Sequence, residues 1–334
     1  MRVLVTGTFR ADGARTVAAS PPLRIGISSC LVGQTVRFDG GHKRDRFLTE
    51  TMGAFVEWVP VCPEVEAGFG TPRETMRLER TRIGLRLITT RTKRDVTAQL
   101  VDYARPRVEA LAAERLSGYV LKKDSPSCGL VRVKVYDEAG GPSRTGRGLF
   151  AERLLGRFPS LPIEDEGRLS DPRLRENFIE RVFAYDRLQR LFASRWTVGD
   201  LVRFHTAHKL VLMAHSPAAD QRIGRMVAGA KERPRADVKQ GYMDEFMAAL
   251  AVVATTSRHA NVLQHMGGYF KKTLDAASKT ELLETIEEYR KGLVPLVVPI
   301  TLIRHHVRRE GVPYLAGQVY LEPHPRELML RNHV

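Results

Sequence analysis

Cysteine occurs three times in this chain of 334 residues, and each copy stands just past a short apolar run. Cys30 follows residues 23–29, Cys62 follows 56–61, and Cys128 follows 119–121 and a short polar turn. Runs this short, β-branched and bounded by Gly or Pro read as buried parallel strands. Open parallel sheets place ligand sites outside the carboxyl ends of their strands. If the three runs are neighbours, three thiols meet in one crevice although 32 and 66 residues separate them. A zinc site built from all three is possible, but structural zinc sites usually show close pairs such as C-x2-C, absent here. The plain alternative is three buried cysteines that only pack.

Elements that could hold such a site alternate from about residue 21 to 172. Residues 86–89 and 131–136 add strands. Residues 95–117 show helical spacing (Val96, Leu100, Val101, Val108, Leu111), and Gly118 follows as a stop. This alternation predicts an α/β fold: an N-terminal three-layer Rossmann-like domain with a mostly parallel sheet. Residues 158–167, proline-rich and acidic, read as its end and a linker. Beyond it the spacing is helical throughout, over 174–191, 198–213 and 242–253. A Ser-x-x-Glu capping box at Ser278 and Glu281 opens a further helix, with Leu282, Leu283 and Ile286 inward and Gly292 as its stop. The expected organisation is a loose tail over 1–20, an α/β domain over 21–172 and an all-α domain over 173–334.

Residues 1–20 lack the apolar core of a secretion signal, and no run approaches the roughly 20 apolar residues that span a bilayer. An odd, small number of cysteines argues against an extracellular disulfide framework, which points to the reducing cytoplasm. The net charge is +15. Residues 1–172 carry 28 Lys and Arg against 21 Asp and Glu, and 173–334 carry 25 against 17. Two basic halves suggest a polyanionic partner, nucleic acid before membrane, with a generally arginine-rich composition as the alternative.

Three blocks, in order, resemble the thiouracil desulfidase family: 30–41 (CLVGQTVRFDGG), 62–73 (CPEVEAGFGTPR) and 124–129 (DSPSCG). Residues 204–217 (FHTAHKLVLMAHSP) resemble the YbgA-like helical family, and the fused form resembles tRNA 4-thiouridine desulfidases. The resemblance implies a [4Fe-4S] cluster on Cys30, Cys62 and Cys128. With three protein ligands one iron is open, and it can polarise a thiocarbonyl for attack by water without electron exchange. By motif position the resemblance implies Glu64 as general acid/base, Ser125 as a hydrogen-bonding or relay group, and Asp39 as a third candidate. The alternatives are a cap or an Arg73 partner for Glu64, and a turn-former before Pro126 for Ser125. The expected activity is replacement of sulfur by oxygen in thiolated uracil, foremost 4-thiouridine to uridine in tRNA. Its rivals are desulfuration of free thiouracil or its nucleosides, and a non-enzymatic iron-sulfur sensor that binds nucleic acid.

Candidate phosphate contacts are Lys43, Arg44 and Arg46, expected to open a helix at the crevice mouth, and Lys271, Lys272, Arg308 and Arg309 in the helical half. Tyr269 and Phe270 beside the two lysines offer stacking faces for unpaired bases. Solvated helix faces are the alternative for each. His205, His208 and His215 have helical spacing, but with apolar flanks and no nearby carboxylate they read as packing rather than metal-binding histidines. Trp58 and Trp196 read as core.

Overall fold

The computed structural model describes residues 22–334, so the expected tail over 1–20 lies outside the described residues. The first half runs β1 (Leu23–Ser28), β2 (Val56–Val61), α1 (Pro63–Glu66), β3 (Met76–Thr81), β4 (Gly84–Thr89), α2 (Thr97–Ala113) and β5 (Gly118–Leu121). It continues through β6 (Val133–Tyr136), β7 (Pro142–Gly146), α3 (Leu149–Arg157) and β8 (Ile163–Asp165). One sheet has the order β2-β1-β5-β8 with every pair parallel. A smaller, mixed sheet has the order β4-β3-β6-β7.

Alternation along the parallel strands sends side chains to two faces. Val59, Val61, Tyr119 and Leu121 pack on α2 and α3, through residues such as Val108, Leu111 and Phe150. On the other face, Ile25, Ile27 and Val120 pack against Phe178, Ile179 and Val182. Those last three belong to α4 (Pro172–Ala193), the first helix of the all-α half. The far end of α4 contributes Ala184, Leu188 and Phe192 to the core of that half. One helix therefore completes the three layers of the sheet and contributes to the core of the bundle. Leu328 and Leu330 return from the far end of the chain to the same face of the sheet.

The bundle comprises α4, α5 (Val198–His215), α6 (Pro217–Ala228), α7 (Arg235–Ala251), α8 (Thr256–Gly267), α9 (Ala276–Arg290) and α10 (Val297–Glu310). His208 and His215 are buried within it, as the spacing implied. The ring of His208 stacks on Phe204 with centroids 4.0 Å apart. His215 lies 3.1 Å from the Glu180 carboxylate. Trp196 is core; Trp58 is only half-buried.

Several local expectations need correcting. Residues 163–165 form a buried parallel edge strand, because Leu121↔Asp165 pairing supplies the backbone partners that a linker would lack. Gly118 opens β5 instead of ending α2: a Cβ there would lie 2.7 Å from Val182 Cγ2, so the glycine admits α4 against the sheet. The cap of α9 is Asp275, whose carboxylate accepts from the Ser278 N–H at 2.8 Å, and Leu283 points to solvent, 56% exposed. Gly292, at φ +76, does end that helix region. Phe270 is completely buried and offers no stacking face, whereas Tyr269 is exposed and stacks on Tyr314. Among the described residues no helix is long and apolar enough to cross a membrane.

A chain cut after Asp171 would strip Phe178, Ile179 and Val182 from the face formed by Ile25, Ile27 and Val120. It is expected to be insoluble or to melt without cooperativity. Phe178→Ala in the full chain is expected to cost about 3–5 kcal/mol in a denaturant titration. A soluble fragment with a sharp circular-dichroism melt would refute the shared-helix account.

Burial and the adjacent Arg187 push the His208 pKa down to about 3, and burial pushes His259 down to about 4. Unfolded histidines take up protons below about pH 6.5, and these two in the fold do not, so stability falls as pH drops through that window. Burial opposes protonation of His215, but hydrogen bonding to Glu180 and its charge prevail and raise its pKa. Its contribution is full below about pH 6.5 and fades as pH rises through the raised value, opposing the other two. His208→Phe should flatten the loss of urea midpoint between pH 6.5 and 4.

Candidate functional site

Beyond the carboxyl ends of β1, β2 and β5 lies a cavity of about 400 Å³, lined by all three cysteines together with Glu64, Ser125 and Ser127. Cys30 sits in a 3-10 turn that begins directly after β1. Cys62 caps α1, its backbone N–H donating to Glu66 Oε1 at 2.8 Å. Cys128 closes a turn built by Ser125, whose Oγ accepts from the Ser127 N–H at 3.3 Å and the Cys128 N–H at 3.1 Å. Ser125 thus forms the turn and lines the cavity as well. Gly129 is required here for closeness: a Cβ would lie 2.6 Å from the Ser125 carbonyl oxygen. The positive φ of this loop falls on Asp124, not on Gly129.

The thiols share one electrostatic environment. Burial pushes Cys30 up to about 11, partly offset by Lys122, and burial also raises Cys62 and Cys128. Two of the thiolates would in addition raise a neighbour: Cys62 acts on Cys30, and both act on Cys128. A bound cation removes that cost, since a coordinating thiol loses its proton. A tetrahedral zinc would need its sulfurs about 3.8 Å apart. Among the described residues no three His, Cys, Asp or Glu side chains are close enough to hold a single ion. The three thiols line one cavity, and thiolates are the ligands that zinc and iron-sulfur clusters take.

Glu64 is fixed from both sides. Its Oε2 accepts from Arg73 Nε at 2.9 Å and from Nη2, and both side chains are largely buried. Arg73 Nη1 donates to the carbonyls of Val36 and Gly70, each at 2.9 Å, so this arginine joins the loop after Cys30 to the loop after Cys62. On the other side Ser127 Oγ donates to Glu64 Oε1 at 2.5 Å, and the hydroxyl of Ser125 lies 2.9 Å from that of Ser127. Ser127 Oγ is also 3.8 Å from Cys128 Sγ.

Residues 25–166 match the family model described as 2-thiouracil desulfurase, and residues 209–325 match a protein family of unknown function, DUF1722. The chain is 32% identical over 161 residues to the uncharacterised protein YbgA of Escherichia coli (strain K12), covering 48% of this chain and 95% of that one. It is 33% identical over 111 residues to the uncharacterised protein YbbK of Bacillus subtilis (strain 168), covering 31% of this chain and 71% of that one. Residues 25–166 are a domain of the 2-thiouracil desulfurase family. The architecture of the chain is a desulfurase domain fused to a YbgA-like domain, and the chain is a desulfidase. A solved [4Fe-4S]-dependent thiouracil desulfidase, TudS, is 31% identical over 44% of this chain and 93% of its own, with a TM-score of 0.37.

In this desulfidase the remaining sequence candidates are dispersed. Asp39 is exposed at the cavity's edge but does not line it; its carboxylate accepts from the Gly41 N–H at 3.0 Å and pairs with Arg37. Lys43 lines the cavity, Arg44 pairs with Glu50, and Arg46 is exposed. Residues 42–45 are irregular, so the expected helix starts only beyond them. Lys271, Lys272, Arg308 and Arg309 are exposed in the helical half. Sequence reasoning missed Ser127 and Lys122, and it saw in Arg73 only an alternative to function. Lys122 pairs with Glu166 and lines the cavity beside Cys30. The Ser-Pro-Ser-Cys repeat of hydroxyls was the available signal for Ser127.

Arg73→Met should lower stability by about 3–5 kcal/mol in urea, because it strands a buried carboxylate. Glu64→Gln, which keeps the shape and an acceptor, should cost clearly less. Equal losses would show that Arg73 acts through packing rather than through the pair.

Proposed function

We propose that this chain replaces sulfur by oxygen in thiolated uracil, with a [4Fe-4S] cluster held by Cys30, Cys62 and Cys128, and that its substrate is 4-thiouridine in tRNA. The observation that carries the reading is the meeting of three thiols at the ends of adjacent parallel strands, beside a largely buried carboxylate that accepts from the hydroxyls of Ser127 and, at 3.4 Å, Ser125. When bound, such a cluster supplies one iron free of protein ligands, a Lewis acid for a thiocarbonyl sulfur. The net reaction consumes water and releases hydrogen sulfide, with no electrons exchanged.

The chain's own residues supply the proton handling. Arg73 holds Glu64 by two N–H groups on Oε2 and leaves Oε1 facing the serines, so Glu64 can accept a proton from the attacking water. The contacts Ser125–Ser127 and Ser127–Glu64 form a continuous path along which that proton returns to the cavity, where the departing sulfur needs one. Lys43 and Arg37 on the cavity wall favour an anionic substrate, and the basic helical half supports an RNA partner. The 2-thiouracil in the description of the matching family favours as a second reading the free base, which the desulfurase domain alone could accept.

Anaerobic reconstitution should give a brown protein with about four irons. Replacing Cys30, Cys62 or Cys128 by Ala should abolish both colour and sulfide release. Glu64→Gln should keep the spectrum and lose about 10²- to 10⁴-fold in turnover of thiolated tRNA. A colourless, zinc-loaded chain with full activity would end this reading.

A further inference from the structure

Ser28 lines the cysteine cavity and takes no part in the proton path through Ser125, Ser127 and Glu64. It is the last residue of β1, buried and paired in register with Val61. Its Oγ accepts from the Lys122 N–H at 2.9 Å, which fixes the hydroxyl and leaves its proton to be given elsewhere. The acceptor is the sulfur of Cys128: burial raises that thiol's pKa, and a hydrogen bond from Ser28 acts against the rise. The other two sulfurs have different neighbours. Cys30 faces the ammonium of Lys122. Cys62 Sγ lies 3.9 Å from the Val36 carbonyl oxygen, an acceptor that is useful to a thiol and not to a thiolate. Ser127 Oγ stands 3.8 Å from Cys128 Sγ, but its proton goes to Glu64 at 2.5 Å. Cys128 is thus the cysteine on whose sulfur a buried hydroxyl is fixed.

We propose that Ser28 is a positioning residue for the desulfuration: its hydroxyl, held by the Lys122 N–H, hydrogen-bonds the Cys128 thiolate and makes the cluster on the three cysteines a stronger Lewis acid. The proposal rests on the cluster reading given above. A hydrogen bond to a ligand sulfur draws charge from that sulfur and so from the metal behind it, and a buried donor does this without competition from water. The reaction exchanges no electrons, so the iron serves only by attracting the thiocarbonyl sulfur, and a ligand that donates less leaves the iron more attractive. The same withdrawal makes the cluster easier to reduce, which provides a measure independent of turnover. Because β1 is an interior strand and Cys128 sits on a loop, the bond also ties that loop to the rigid part of the sheet.

The test uses the full-length chain, reconstituted with iron and sulfide without oxygen and titrated with dithionite under electron paramagnetic resonance. Ser28→Ala should still bind about four irons, yet its reduction should be about tenfold less favourable, a fall of about 59 mV for one electron. Ser28→Thr, which keeps the hydroxyl, should return to within about threefold of the unsubstituted equilibrium. Ser29→Ala, which removes a hydroxyl of the same cavity one position on, should change that equilibrium less than about twofold. Turnover should fall in Ser28→Ala and recover in Ser28→Thr. In the unsubstituted chain, exchange into deuterium oxide should shift an iron–cysteine stretching band in the resonance Raman spectrum, which tests the bond even where Ser28→Ala fails to fold. The proposal is overturned by an unchanged potential in Ser28→Ala, by an equal fall in Ser29→Ala, by a Ser28→Thr that behaves as Ser28→Ala does, or by a band that does not move. A chain that binds no iron in any form refutes the cluster reading and this proposal together, whereas iron binding with an unchanged potential refutes this proposal alone.

Discussion

The whole site depends on the central position of β1, paired in parallel with β2 on one side and β5 on the other. Parallel pairing brings three carboxyl ends to one edge, and the chain leaves each of them with a cysteine within a few residues. An antiparallel arrangement of the same strands would send one loop to the opposite edge and part the thiols. The register is held by close contact: a Cβ on Gly26 would lie 2.1 Å from the Tyr119 ring, so no larger residue fits between β1 and its neighbour's aromatic side chain. Ser28 adds a hydroxyl that accepts the Lys122 N–H at 2.9 Å, binding the end of β1 to the loop that carries Cys128.

Strand pairing brings the loops near one another, and Arg73 fixes them. Its donors reach Val36, Gly70 and Glu64, so one buried guanidinium spans two of the three cysteine loops. Glu64 extends the connection to the third loop through Ser127. A buried pair of this kind is weak evidence of net stability, but it specifies geometry strongly, because breaking either end leaves a charge without water. The carboxylate best placed for chemistry is therefore also the junction of the cavity wall.

The sequence was most legible where burial on both faces makes strands continuously apolar. The runs before Cys30, Cys62 and Cys128 were readable for that reason, and with them the parallel sheet. The strand at Ile163–Asp165 was not, since its neighbouring prolines and acids carry the composition of a loop and only pairing with β5 makes it a strand. Gly118 carried the mark of a helix stop but serves the approach of Val182, a contact 64 positions away that no local pattern reveals. Phe270 illustrates the same limit: a basic neighbourhood suggested exposure, and the bundle buries it. Of the site, the cysteines, Glu64 and Ser125 could be read from motif position. The contacts that hold them, Arg73 to Val36 and Ser127 to Glu64, join residues 37 and 63 positions apart and emerge only from the fold.

The position of α4 between two cores also sets an order of events during synthesis. All strands of the parallel sheet have left the ribosome once Asp165 has emerged, yet one face of that sheet stays only partly covered, by Leu31, Leu48 and Met52, until α4 follows. Even then α4 carries two buried carboxylates, Glu176 and Glu180, whose cationic partner Arg331 lies 155 positions after the first of them, at 3.0 Å from Glu176 and 3.6 Å from Glu180. The nascent first half must therefore wait with an incompletely neutralised helix, beside a sheet still lacking Leu328 and Leu330. Through that interval the chain exposes apolar sheet surface beside carboxylates whose cation has not yet been made.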